Sequence, residues 1–382
     1  MQADPQLTRT SGGQPPPAGE RALVELIRRE IEAAPGRRIT FARFMERALT
    51  EPGLGYYATS RTRPTRAGDF LTAPELHPFF GRLVGRHLAD VWLRLGAPER
   101  FTVREYGAGR GTLERTVRGG LSADGCELAA VLEWQPIDLD DAVPVKPVVG
   151  AIIANEYLDA LPVHRLVQRS GRLLERYVTW DGDAFATLEA EPSSSRLMET
   201  LDADGVALRD GQAADVSLAA IDWASRLGAE LQRGVALVID YGHPADELYG
   251  PRRMSGTLTT YASHTLGDDP YVRVGEQDIT AHIDLTAIDR AARDGGLEPL
   301  GATTQGRFLA ALGVVDLLSD LGRRTDTAAD DYLLARSAVA RMLDPRHLGG
   351  FAVRAWGRGL EPEPPLRGFG DPATTLERGL AR

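Results

Sequence analysis

"REYGAGRGTLE", residues 104–114, sets glycines at 107, 109 and 111 directly after the apolar run "FTVREY" and directly before a stretch able to form a helix. A strand that runs through bare backbone into a helix offers main-chain N–H groups to a ligand, and the glycine spacing says which ligand fits. A dinucleotide fingerprint spaces its glycines G-x-G-x-x-G, and here the third comes one residue early. A phosphate-cradling loop needs Gly-Lys-Ser/Thr, which does not follow. The acid Glu105 stands two residues before Gly107. It would repel a pyrophosphate, whereas a sulfonium or ammonium group would be attracted by roughly 1 to 4 kcal/mol at contact in partly wet surroundings. The pattern therefore suits S-adenosylmethionine, with a ligand-free turn joining strand to helix as the bland alternative.

Two further apolar runs, "VVGAIIA" and "VALVIDY", match the first in length and are separated by helix-like segments. Strand, helix, strand in that order predicts a mostly parallel doubly wound sheet, an α/β fold with a Rossmann-like core. The runs end at Glu105, at Asn155-Glu156 and at Asp240. Ligands in such sheets bind beyond the carboxyl ends of the strands, so these polar ends are expected to meet in one cleft.

Working outward, residues 1–19 are Pro/Gly-rich and are expected to be disordered. Residues 20–98 read as a helical N-terminal region, with apolar stripes through Leu23, Leu26, Ile27 and Ile31 and through Phe80, Leu83, Val84, His87, Leu88 and Val91. His87 lies on the apolar stripe and reads as a core histidine, and Thr40 as the N-cap of "FARFMERAL". The core spans 99–358 with a strand-bearing insertion at about 164–228, and 359–382 reads as a loose tail. Between Gly111 and "ANE", two complete crossovers and two strands barely fit into the stretch 112–154. Gly119-Gly120 is expected to cut its first helix after about two turns, and three prolines between Gln135 and Pro147 leave no helical stripe. One helix is expected to be missing there.

Composition sets outer limits. The 382 residues carry a net charge of −10, which argues against wholesale nucleic-acid binding and suits a basic partner. One cysteine, Cys126, excludes an internal disulfide and a cysteine-based metal cluster. No apolar run is long enough to span a membrane, and the N-terminus lacks the marks of a secretory signal, so a cytoplasmic location is expected. His264, His282, Asp278 and Asp284 show no metal-ligand spacing, and no metal is expected.

Six stretches, "FMERALTEPGLGYYA" (44–58), "GDFLTAPELHPFFG" (68–81), "EYGAGRGTL" (105–113), "ANEYLDALPVHR" (154–165), "VIDYGHP" (238–244) and "DITAHIDLTAI" (278–288), together resemble the MidA-like family of methyltransferases over roughly residues 21–358. The resemblance implies S-adenosylmethionine as cofactor and a protein arginine as methyl acceptor. It implies a partner such as a subunit of the respiratory NADH dehydrogenase, with loss of activity or a small-metabolite acceptor as rival readings. It implies cofactor contacts from Gly107, Gly109, Gly111, Glu105 and Asn155, and from Asp69, Thr72 and Glu75 in a segment that folds over the cofactor. The simpler readings are a turn at Asp69 and a helix-start charge at Glu75. Glu133 would grip the ribose if "ELAAVLEW" is the second strand; if "EWQPIDLDD" instead touches the adenine, that acid is absent. A cationic guanidinium calls for carboxylates, for which Glu156, Asp159 and Asp240 are candidates, with His243 as proton acceptor or loop cap. After "SGTL", "TTYASH" replaces the family's arginine-containing stretch.

Overall fold

The computed structural model describes residues 7–8 and 20–371, except 61–71, 140, 263–264 and 326–327. The chain forms two compact units, each assembled from separated stretches: 1–70, 159–223 and 242–288 make one, and 71–158, 224–241 and 289–382 the other. The helical lead-in read as 20–98 is thus divided at 70/71, its first part grouping with the inserted strands.

The second unit carries the expected sheet. Its strands are β1 (Phe101–Tyr106), β2 (Leu132–Ile137), β3 (Val148–Asn155), β4 (Leu231–Asp240), β5 (Glu298–Thr304) and β6 (Ala352–Arg358), in the spatial order β5-β6-β4-β3-β1-β2. β2, β1, β3 and β4 run parallel, and β6 lies antiparallel between β4 and β5. β1 is buried along its whole length and β3 and β4 nearly so, which is why they read as continuous apolar runs rather than alternating ones. Helices α1 (Phe79–Arg94) and α2 (Thr112–Ala123) pack together, joining Leu83, Leu88, Leu113 and Val117 to Phe101, Val103, Ile153 and Val235 in one core.

α2 does not stop at Gly119-Gly120 as expected but runs through them to Ala123. A Cβ on Gly120 would sit 2.5 Å from the Arg82 Cα, and one on Gly81 would collide with Thr116, so these glycines let two helices touch backbone to backbone. Glycine here serves packing, and helix contacts recover what its propensity costs. The abbreviation of 112–154 is present: a single strand, β2, follows α2, and the described residues from Asp138 to Pro147 form neither helix nor strand. Fully buried Arg104 pins this stretch, its Nη2 donating to the carbonyls of Pro144 (3.2 Å) and Lys146 (3.0 Å) while Nη1 pairs with Glu230 at 2.9 Å. The tail is packed as far as Phe369, whose ring meets Phe308 and His87; residues 372–382 lie outside the described set.

The first unit is built on an antiparallel sheet in the order Leu7–Thr8, Phe185–Ala190, Arg172–Trp180, His164–Arg169, Ala213–Val216, with Arg38–Thr40 also on Arg172–Trp180. Of the N-terminal stretch expected to be disordered, Leu7–Thr8 pair in this sheet, and the rest up to residue 19 is outside the described residues. The helices Arg21–Ala33 and Phe41–Thr50 bury Leu23, Ile27, Phe41, Phe44 and Met45 with Val178 and Phe185. Thr40 caps the second of these, accepting from the Arg43 amide at 3.1 Å as its spacing predicts. A three-stranded sheet of Thr265–Gly267, Thr259–Ala262 and Asp278–Thr280 completes the unit. Among the described residues no helix is long and apolar enough to cross a membrane.

Candidate active site

The parallel pairing of β2, β1, β3 and β4 brings their carboxyl ends to one side of the sheet, where Glu105, the glycine turn, Asn155, Glu156 and Asp240 lie. Gly107, Gly109 and Gly111 all take left-handed φ values, of 68°, 53° and 65°. Only glycine holds three such angles within five residues without strain, and at Gly107 a Cβ would also press to 3.0 Å on the Tyr157 ring. Gly111 is the N-cap of α2 and has no side chain, so the first amides of that helix receive no side-chain cap there.

Glu105 is 4% exposed and accepts a hydrogen bond from Trp134 Nε1 at 2.8 Å. Burial pushes its carboxyl up to about 7 against the Trp134 bond, and the charges of Glu114 and Asp138 push the same way. A cation seated beside it would reverse that shift. Asn155 donates to Glu156 Oε1 at 3.3 Å, while its own Oδ1 is buried and accepts nothing from the described residues. An acceptor left in that state suits a ligand that brings N–H donors. Glu156 holds φ +50°, an uncommon angle for a side-chain-bearing residue and a form of strain that clusters at functional sites. Its Oε1 also accepts the Ala73 amide at 3.1 Å.

The ribose acid expected at Glu133 is at the wrong end of its strand. Glu133 pairs in register with Thr102, five residues before Gly107, and its half-exposed carboxylate meets Arg100 at 3.0 Å. That is roughly 16 Å of strand away from the turn. The acid at the carboxyl end of β2 is Asp138, whose Oδ2 accepts the Gly109 amide at 3.1 Å. The sequence signal for it was present as the first carboxylate after "LEWQPI". It was missed because "ELAA" reads as strand and is instead a helical turn, Leu128–Val131, which shifts the true strand toward the C-terminus.

Other candidates have different duties. Asp240 is fully buried and its carboxylate holds backbone: Oδ2 accepts the amides of Tyr157 (3.1 Å) and Leu158 (2.9 Å), and Oδ1 that of Tyr241 (2.8 Å). It therefore shapes the turn after β3 rather than gripping a guanidinium. His243, in the first unit, is unsuited to accept a proton: Arg253 Nη2 donates to its Nε2 at 2.8 Å and Glu247 holds its Nδ1 at 2.9 Å. Burial and the Arg253 charge lower its basicity further. Asp159, also in the first unit, is buried at 6% exposure. Thr72 precedes the short helix Ala73–Leu76 without a side-chain cap bond, and Glu75 is an exposed acid in its first turn. Asp69 and His264 lie outside the described residues.

A mostly parallel sheet with a non-phosphate glycine turn on β1 and acceptors at the ends of β2, β1 and β3 defines the Rossmann-like S-adenosylmethionine-dependent methyltransferases. The comparisons agree. A family profile described as an S-adenosyl-L-methionine-dependent methyltransferase matches residues 118–303. A crystal structure of a Burkholderia thailandensis protein bound to S-adenosyl-homocysteine is 33% identical, superposes with a TM-score of 0.81, and aligns over 94% of this chain and 97% of its own. The Drosophila melanogaster protein named "Protein arginine methyltransferase NDUFAF7 homolog, mitochondrial" is 26% identical over 87% of this chain and 84% of its own. The human protein of the corresponding name is 25% identical over 81% and 78%. The chain belongs to the MidA-like family of S-adenosylmethionine-dependent methyltransferases. The expectation of a cytoplasmic location is overturned, because the relatives from Drosophila, human and mouse are all named as mitochondrial proteins.

Proposed function

We propose that this protein transfers a methyl group to an arginine of a protein substrate, with a subunit of the respiratory NADH dehydrogenase as the first candidate. The observation that carries the reading lies at the carboxyl end of β3: Asn155 Nδ2 donates to the carboxylate of strained Glu156, and the buried Asn155 Oδ1 is left with no donor among the described residues. The relatives' names as protein arginine methyltransferases support it.

S-adenosylmethionine supplies an electrophilic methyl group with its leaving group attached, so the protein needs no nucleophile of its own. What remains for its residues is alignment and exclusion of water. The first amides of α2, which Gly111 leaves without a side-chain cap, would receive the carboxylate of the amino-acid end, with Glu105 opposite the positive charge. Asp138 is the carboxylate for the ribose hydroxyls. Asn155 Oδ1 would accept an N–H of the incoming guanidinium and so fix which nitrogen faces the methyl, and Glu156 would take the proton that this nitrogen sheds as it gains carbon.

Incubation of the protein with methyl-labelled cofactor and candidate polypeptides, followed by mass spectrometry, tests the proposal. Label on an arginine supports it, whereas label only on small molecules, or on other side chains, refutes it. The shortened 112–154 stretch favours one rival, an assembly role without turnover, for which calorimetry should find no S-adenosylmethionine bound at millimolar ligand and no label should reach any acceptor.

A further inference from the structure

Within the first unit a second set of groups has no part in cofactor binding. The strand Asp278–Thr280 pairs antiparallel with Thr259–Ala262, placing Asp278 opposite Tyr261 and Thr280 opposite Thr259. Alternate residues of a strand face the same side, so Asp278 and Thr280 share one. Asp278 is 7% exposed, and its Oδ1 accepts the hydroxyl of half-buried Tyr57 at 2.8 Å. Just past that strand, Ala281 donates its amide to the main-chain carbonyl of Asp159 at 3.1 Å, which anchors a second buried acidic residue beside the strand. Burial pushes the Asp278 carboxyl up to about 7, with the Asp159 charge adding to the shift. Both acids also raise the Tyr261 phenol after the effect of its burial, so that ring stands close to the pair.

Two carboxylates buried beside each other cost free energy that a cation would return. Thr280 supplies an independent sign that something is received here. It is 2% exposed, and its Oγ1 has no hydrogen-bond partner among the described residues. A metal ion is a poor match, since no group of three or more His, Cys, Asp or Glu side chains is gathered to hold one among the described residues. Two carboxylates, a hydroxyl oxygen and phenol rings instead match a flat cation with several N–H donors. A guanidinium bonds carboxylates in pairs, is weakly hydrated, and lies well against aromatic faces.

The geometry points to a guanidinium subsite formed by Asp278, Asp159, Thr280 and Tyr57, which receives an arginine side chain of the polypeptide substrate. It rests on the arginine reading above, and the arginine it receives is a second one of the same polypeptide, apart from the one presented to Asn155 and Glu156.

The test uses the full chain labelled at its aspartate carboxyl carbons, followed by NMR across pH. N-acetyl-arginine methylamide is compared with its neutral isostere, N-acetyl-citrulline methylamide. Asp278→Asn assigns the resonance that titrates unusually high; should that variant not fold, Tyr57→Phe, which keeps the ring, assigns it by displacing it. The arginine compound should lower the pH at which Asp278 ionises, the citrulline compound should not, and Thr280→Val should weaken the effect. Equal action of the two compounds, or no action by either, overturns the subsite. A selective arginine effect with no protein arginine ever labelled leaves the subsite standing and removes the methylation reading. Labelled arginine beside an Asp278 titration that ignores the arginine compound does the opposite.

Discussion

Replacing Glu105 by glutamine should flatten the pH dependence of cofactor affinity. In the free protein this carboxyl titrates at about 7 because it is buried. The sign follows from the direction of the shift. A carboxyl raised above its ordinary value of 4.5 favours the protonated fold, so its contribution to stability is full below that value and is lost as pH climbs toward 7. The loss amounts to about 3 kcal/mol in order of magnitude. A cationic ligand needs the ionised form and so must displace the proton. Between about pH 7.5 and about pH 5.5 the ionised fraction falls roughly 25-fold, which weakens cofactor binding by about 2 kcal/mol. Calorimetry in two buffers of different ionisation enthalpy measures this directly, and near pH 6.5 about three quarters of a proton should be released per cofactor bound. In Glu105→Gln the affinity at the higher pH should drop and the slope and proton release should vanish. A wild-type affinity that is level across this range, or a slope that survives in the variant, would refute the placement of Glu105 beside the positive charge.

Other expectations bear on the remaining assignments. Asp138→Asn should weaken cofactor binding roughly tenfold or more, while Glu133→Gln should leave it unchanged; calorimetry giving the reverse order would restore Glu133 as the ribose acid. His87 is fully buried between Phe308 and Phe369, with both ring nitrogens unpartnered among the described residues. His87→Leu should therefore stabilise the protein by about 1–3 kcal/mol in urea denaturation. Burial depresses His87 from 6.5 to about 4, so the wild type should lose stability as pH falls through that window and the variant should lose less. Arg104→Leu, which strands the Glu230 carboxylate, should cost about 3–5 kcal/mol, and the double change with Glu230→Leu should recover much of it. Equal urea midpoints for Arg104→Leu and the double variant would show that losing Arg104 does not strand the Glu230 carboxylate.

The parts of the fold that depend on local pattern were legible. Short apolar runs marked β1, β3 and β4, and apolar residues at helical spacing marked Arg21–Ala33 and Phe79–Arg94. The glycine turn was legible because its spacing excludes the alternatives chemically. What escaped depends on partners distant in sequence. Nothing near Asp240 says that its carboxylate will be consumed by the amides of residues 157 and 158. Nor does anything near His243 announce Arg253 on its ring. Gly119-Gly120 misled because a propensity rule cannot see Arg82 across the helix contact. The first unit is drawn from three separated stretches, so no window along the chain reveals it.

The shortened crossover leaves β2 as the last strand of its sheet. Outermost strands invite pairing with whatever extended chain drifts past, and a protein that discards a covering strand takes on that hazard. Ile137 turns its carbonyl inward to the Gly107 amide at 2.9 Å, so its neighbour Pro136, which is exposed, turns its own nitrogen outward. That nitrogen bears no hydrogen, and a visiting strand finds one rung of its ladder missing where it would dock. Truncation of the fold and the proline beside it are in this sense one change: the first opens a place for self-association, and the second keeps it closed.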